Sequence, residues 1–248
     1  EMSSRGLGDV YKRQVLLDLK GKDKPNQISE NAIDIIKKSD PPLLVERSRI
    51  DHIKPGNLDD DFNEIKDADW VIEAVVERID IKHKLYSQID KVRSRNSIIS
   101  SNTSTIPLSI LTQEMSDSMK TDFCITHFFN PVRFMRLLEI VETPTMNKDK
   151  MDGLRDFCKN ELGKGIVNCN DTPGFIGNRI GVYAMQVAMY EALERGLPVE
   201  IADALFGRPL GIPKTGVFGL YDLIGIDLMK DVLASFKKEL QEDDPFMD

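Results

Sequence analysis

Between Val15 and Phe129, short apolar runs alternate with polar or amphipathic stretches, and this alternation restricts the fold more than any other feature of the chain. Val15-Leu-Leu-Asp18 is an apolar run ending in an acid and reads as a buried strand. Ile28 to Lys38 reads as a helix, stopped by Asp40-Pro-Pro42. Ile50 to Ile53 is a candidate short strand. Ala68 to Val76 is the strongest β-run, expected to be buried on both faces in its second half. Ile79 to Val92 then reads as a helix and Ser97 to Ser100 as a strand. Ile106 to Met119 reads as partly helical with Pro107 near its start, and Phe123 to Phe129 as the next strand. Strands separated by helices at this spacing form βαβ units, so the expected architecture is α/β with a mostly parallel sheet.

After Asp171-Thr-Pro-Gly174 the pattern changes. Phe175 to Arg195 reads as a long helix closed by Gly196 and Pro198, and Ile201–Leu205, Val217–Ile224 and Asp227–Leu240 continue as helical pieces. A division follows: an opening segment 1–14, an α/β domain 15–170, and an all-helical domain 171–248. The opening segment lacks apolar periodicity and joins abruptly to a good strand. It is expected to replace the natural start, and the equally abrupt end at Asp248 makes a fragment the expectation. Nucleotide-binding sheets open with a strand, a glycine-rich turn and a helix. Gly6-Leu-Gly8 imitates the turn, but too few residues separate it from Asp18 for a helix and a strand. The first strand and its loop are therefore expected to be missing.

The formal charge is −8 with both signs interspersed, which gives no nucleic-acid footprint. No apolar run approaches membrane-spanning length. The three cysteines, Cys124, Cys158 and Cys169, are odd in number and widely spaced, which fits a reducing cytosol rather than a disulfide framework or a metal site.

In parallel sheets ligands bind beyond the carboxyl ends of the strands. Asp18, Glu77, Asn102, Ser104 and His127 all fall at or just past expected strand ends and are expected to converge on one crevice. Of three histidines, only His127 lies in an apolar strand-like run, and Glu139 interrupts the apolar run Leu137–Val141 twelve residues on. A histidine oriented by a buried carboxylate accepts a proton near neutral pH. Taken alone, such a histidine is more simply a core residue bonded to a carbonyl. Ser104 reads equally as a turn or N-cap residue, Glu77 and Lys82 as a solvated pair at a helix start, and Asp18 as plain strand termination.

The motifs Trp70-Val-Ile-Glu-Ala-Val-Val-Glu77, Ser101-Asn-Thr-Ser104, His127-Phe-Phe-Asn-Pro131, Leu138-Glu139 and Asp171-Thr-Pro-Gly-Phe-Ile-Gly-Asn-Arg179 occur in one order along the chain. With them, the chain from Val15 onward resembles the L-3-hydroxyacyl-CoA dehydrogenase family, especially the dehydrogenase part of bacterial multifunctional β-oxidation proteins. The resemblance implies a Rossmann-like domain followed by a helical, dimerising domain, and NAD-dependent oxidation of a 3-hydroxyacyl-CoA. It implies His127 and Glu139 as the proton-transfer pair, and Ser104 and Asn178 beside the reacting oxygen. The cofactor would lie against Asp18, Glu77, Lys82, Asn102 and Ser104. Partners would be an acyl-CoA and either a second copy or a longer multifunctional chain, in the cytoplasm, with no metal. Two other readings stay open: a truncated module that binds acyl-CoA or dimerises without catalysis, and a dehydrogenase for another hydroxy acid.

Overall fold

Apolar alternation along the central strands assigns each side chain to one of two faces. The computed structural model describes residues 13–44, 46–211, 214–244 and 246. Gly6-Leu-Gly8 and nearly all of the opening segment lie outside the described residues. β1 (Gln14–Asp18) leads through α1 (Gln27–Lys38) to β2 (Ile53–Asn57). β3 (Trp70–Glu73), α2 (Ile79–Val92), β4 (Ile98–Ser101), α3 (Leu108–Leu111), α4 (Asp117–Lys120) and β5 (Phe123–Phe128) follow. β6 (Leu137–Glu142), α5 (Lys148–Asp156) and β7 (Gly165–Asn168) complete the α/β part. The helices α6 (Gly177–Glu194), α7 (Val199–Leu205), α8 (Phe218–Ile224) and α9 (Ile226–Glu239) end the chain.

The strands form two sheets among the described residues: β1 paired with β2, and β3-β4-β5-β6-β7. All pairings are parallel except β5 with β6. The connection between those two strands is too short for a crossover helix, so the chain turns back on itself. On one face of the larger sheet, Phe123, Ile125 and Val141 pack with Tyr86 and Ile89 of α2. On the other, Cys124, Leu138 and Ile140 pack with Met151 and Leu154 of α5. Helix α2 lies against the sheet because Lys82, Leu85, Tyr86 and Ile89 recur at helical spacing and are all buried.

Three local expectations are corrected. β1 is a strand but not a buried one: Val15 is 40% exposed, and Leu16, Leu17 and Asp18 are half-buried. The run 68–76 is a strand only over Trp70–Glu73, and its second half is not buried throughout: Glu73 is buried, but Ile72 is 46% and Val76 60% exposed. β3 is an edge strand of the larger sheet, so its side chains have a neighbouring strand on one side only. Ile50 to Ile53 is not a strand. Residues Arg47–His52 form a 3-10 turn, and the strand begins at Ile53 and runs through Pro55 and Gly56. Proline is tolerated there because β2 is the outer strand of a pair, where a missing N–H breaks no ladder.

The helical part has its own core of Val182, Ala188, Val217, Tyr221, Met229 and Phe236. Gly174 enters α6 with φ of 70°, and a Cβ there would overlap the Phe236 ring of α9. Gly174→Ala is expected to lower stability by about 3 kcal/mol, combining overlap with left-handed backbone. Urea denaturation checks this; a midpoint equal to that of the parent contradicts it.

Candidate active site

The register of the β5–β6 pair places His127 directly opposite Glu139, on the same face of the sheet. Both are buried, at 5% and 0% exposure. His127 Nδ1 and Glu139 Oε2 are 2.7 Å apart. A carboxylate accepts, so Nδ1 carries the proton and Nε2 keeps its lone pair.

The other oxygen of Glu139 meets the start of α6. Glu139 Oε1 accepts from the backbone N–H of Ile176 at 2.9 Å and of Gly177 at 2.6 Å. Those two amides point at the sheet because Gly174 and Phe175 turn the chain through positive φ, 70° and 50°. Phe175 is a non-glycine residue in the left-handed region, a conformation that costs about 1–2 kcal/mol. Its ring is buried 5.6 Å from the His127 ring, and Phe129 lies 4.4 Å from it on another side. The imidazole is thus walled by aromatics and held by a carboxylate that is itself held by a helix N-terminus.

Burial pushes the Glu139 carboxyl up, but hydrogen bonds from His127, Gly177 and Ile176 outweigh it and hold the group below its ordinary 4.5. A carboxyl lowered on folding contributes stability that is complete above pH 4.5 and is lost as pH falls below it. Urea midpoints measured from neutral to acid pH are expected to fall less steeply for Glu139→Gln than for the parent. Parallel acid limbs contradict this.

An open crevice lies beyond the carboxyl ends of β3, β4 and β5, with Glu77, Lys82, Asn102, Ser104, His127 and Asn130 among its lining residues. Asn102 Oδ1 accepts from Phe128 N at 2.9 Å, tying the ends of β4 and β5 together. Thr103 Oγ1 donates to Glu77 Oε2 at 3.0 Å, and the Ser104 N–H approaches Glu77 Oε1 at 3.3 Å. Glu77 and Lys82 are not a solvated pair. Lys82 is 1% exposed and its Nζ lies 2.7 Å from the buried Glu73. Sequence reasoning passed over Glu73; the one signal it offered was an acid inside an apolar run, which is costly to bury without donors facing it.

The expected convergence is therefore partial. Glu77, Asn102, Ser104 and His127 share the crevice. Asp18 is not among its lining residues: it ends β1 in the separate two-stranded sheet, half-buried, accepting from Leu19 N. Asn178 sits at the second position of α6, directly after the amide that holds Glu139. The linker is tied to the α/β part by Asp171, whose two oxygens accept from Leu108 N at 2.6 Å and Ser109 N at 2.8 Å, capping α3.

Comparison with known proteins places this geometry in context. The family model described as 3-hydroxyacyl-CoA dehydrogenase, NAD binding domain, matches residues 14–172, and that of the C-terminal domain matches 174–247. A protein of Rickettsia felis named as a fatty acid oxidation complex trifunctional enzyme is 42% identical over 234 residues. That match covers 94% of this chain but 32% of the relative, so the chain spans about a third of its length. A protein of Deinococcus radiodurans named as a 3-hydroxyacyl-CoA dehydrogenase is 36% identical over 234 residues, covering 94% of this chain and 68% of that one. Among solved structures, the (S)-3-hydroxybutyryl-CoA dehydrogenase of Ralstonia eutropha superposes with a TM-score of 0.72 at 28% identity, covering 97% of this chain and 83% of that one.

Proposed function

Because this chain belongs to the 3-hydroxyacyl-CoA dehydrogenase family, we propose that it oxidises (S)-3-hydroxyacyl-CoA to 3-oxoacyl-CoA with NAD, as a step of fatty-acid β-oxidation. The observation that carries this reading is the buried His127–Glu139 pair at the edge of a crevice beyond the strand ends. The residues fit a dinucleotide. The half-exposed carboxylate of Glu77 offers acceptors to a ribose diol, and Asp18 at the end of β1 is suited to a diol and repels a 2′-phosphate.

When bound, NAD supplies the hydride acceptor. His127 Nε2 takes the proton of the 3-hydroxyl as the hydride leaves. Glu139 keeps the proton on Nδ1 and stabilises the imidazolium that forms, as an aspartate does in the serine-protease triad. Ser104 donates its hydroxyl to the substrate oxygen, with Asn178 beside it. Lys82 and Asn102 serve the cofactor side of the crevice. Residues 15–170 form the cofactor domain and 171–248 the helical one.

The helical part also offers a face for a second copy. Ile176, Ile180, Tyr183, Val187 and Tyr190 follow one another at helical spacing along the start and length of α6, and all are at least 40% exposed. A homodimer covers this stripe. Among the described residues no helix is long and apolar enough to cross a membrane, and the three cysteines are free thiols, as a reducing cytosol maintains.

The test is reduction of acetoacetyl-CoA, followed by loss of NADH absorbance. Turnover supports the reading. NADH oxidation with a free short oxo acid, but not with the thioester, would move the substrate to another hydroxy acid; no turnover with either refutes the reading.

A further inference from the structure

At the carboxyl end of β3, four donors converge on one buried carboxylate. Glu73, with its side chain 0% exposed, accepts on Oε1 from Lys82 Nζ at 2.7 Å and Val75 N at 2.7 Å. On Oε2 it accepts from Tyr86 OH at 2.6 Å and Ser101 Oγ at 2.6 Å. Four donors fill the lone-pair directions of a carboxylate. Lys82 has three N–H groups and three acceptors within reach: Glu73, the Val75 carbonyl at 3.4 Å and Glu77 Oε2 at 3.5 Å. Its charge is therefore held inside the protein, mainly by Glu73, the nearer carboxylate. Glu77 is the member of this triad that opens to the crevice, with its side chain 41% exposed.

We propose that Glu73 is a positioning residue, which pins Lys82 and through it leaves the Glu77 carboxylate free to accept hydrogen bonds from the ribose hydroxyls of the bound dinucleotide. The assignment rests on the NAD-dependent reading above. Two carboxylates and one ammonium leave the triad one negative charge in excess. Removing the charge of Glu73 removes that excess. The ammonium then moves onto Glu77, the remaining carboxylate, and occupies the acceptor the ribose requires. A buried charge that loses its partner is strongly destabilised, which drives the ammonium towards the opposite charge still within reach, Glu77 Oε2 at 3.5 Å.

The experiment measures the NADH dissociation constant by fluorescence titration, and the melting temperature, for the parent chain, Glu73→Gln, Tyr86→Phe and the double variant Glu73→Gln/Lys82→Met. Glu73→Gln is expected to weaken NADH binding about tenfold, the scale of one hydrogen bond to a charged group. Tyr86→Phe removes a donor from the same carboxylate without changing its charge, so it is expected to lower the melting temperature and leave NADH affinity unchanged. The double variant removes the ammonium as well and frees Glu77, so it is expected to bind NADH more tightly than Glu73→Gln, while staying weaker than the parent because Lys82 also serves the cofactor side of the crevice. Because it leaves no buried ion unpaired, it also keeps the test available if Glu73→Gln alone does not fold. Affinity that falls in step with melting temperature across the variants overturns the proposal, as does a double variant as weak as or weaker than Glu73→Gln. A parent chain that binds no NADH removes the NAD-dependent reading itself, and this assignment with it.

Discussion

His127→Gln is expected to lower kcat for acetoacetyl-CoA reduction by about 10²–10⁴-fold, the contribution of a positioned general acid–base group. Under the proposed function the imidazole is the base: it is buried at the edge of the crevice, and its Nδ1 is committed to Glu139 at 2.7 Å. Only Nε2 remains to exchange a proton with the substrate oxygen. A glutamine amide keeps a donor for Glu139 but has no nitrogen that accepts and returns a proton near neutral pH. The fold is expected to persist, because Glu139 keeps its two backbone donors, Ile176 and Gly177. NADH affinity is expected to stay at the parent value, which separates a chemical defect from a binding defect. Steady-state kinetics beside an NADH titration decides the matter. A variant retaining more than about a tenth of the parent kcat would refute the assignment of His127 as the proton-transfer group.

Glu139→Gln is expected to produce a loss of similar size by a different route. Its amide oxygen still accepts from Ile176 N and Gly177 N, so the start of α6 stays seated on the sheet. Its NH₂ group then faces His127 Nδ1, where the carboxylate had been. Two donors cannot share that contact, so the imidazole proton moves to Nε2. The nitrogen facing the substrate becomes a donor and no longer takes the hydroxyl proton. The corresponding acid-to-amide change in the serine-protease triad lowers kcat about 10⁴-fold by the same change of tautomer. Glu139→Ala is a useful contrast. It leaves the two backbone amides and the imidazole without an acceptor and opens a cavity, with an expected stability loss of about 3–5 kcal/mol. Urea midpoints at neutral pH separate the two variants: slightly below the parent for glutamine, which lacks the carboxylate contribution, and well below it for alanine. An active Glu139→Gln variant would mean that the carboxylate does not set the tautomer.

Much of the secondary structure was legible because it depends on short-range periodicity. α2 spans Ile79–Val92, as its spacing of apolar residues indicates, and the helices after Asp171 follow in the expected order. The failures are equally physical. The early end of the strand at Glu73 and the exposure of Ile72 depend on β3 being an edge strand, which no local pattern reveals. The strand through Pro55 and Gly56 contradicts local propensity and exists because β1 offers it a partner. Glu73 stood unremarked inside the run 68–76, and only the fold brings Lys82, Tyr86 and Ser101 around it from α2 and β4.

The candidate site divides along the same line. Polarity drew attention to His127 and Glu139, a lone histidine in one apolar run and an acid interrupting another, and the order of the motifs, through the family they resemble, made them a candidate pair. The sequence also determined the α/β alternation and the change to helices near Asp171, since both are written in periods of two and 3.6 residues. Only the tertiary structure decided that residues 127 and 139 face each other, because a slip of one residue in the antiparallel register would send one of them to the opposite face. It alone aimed the amides of Ile176 and Gly177 at the carboxylate, through a left-handed turn that packing against His127 and Phe236 holds in place. It also set Asp18 on a separate sheet from the crevice that four other strand-end residues share. Periodicity is a property of neighbours along the chain, whereas register, capping and convergence are contacts between segments tens of residues apart.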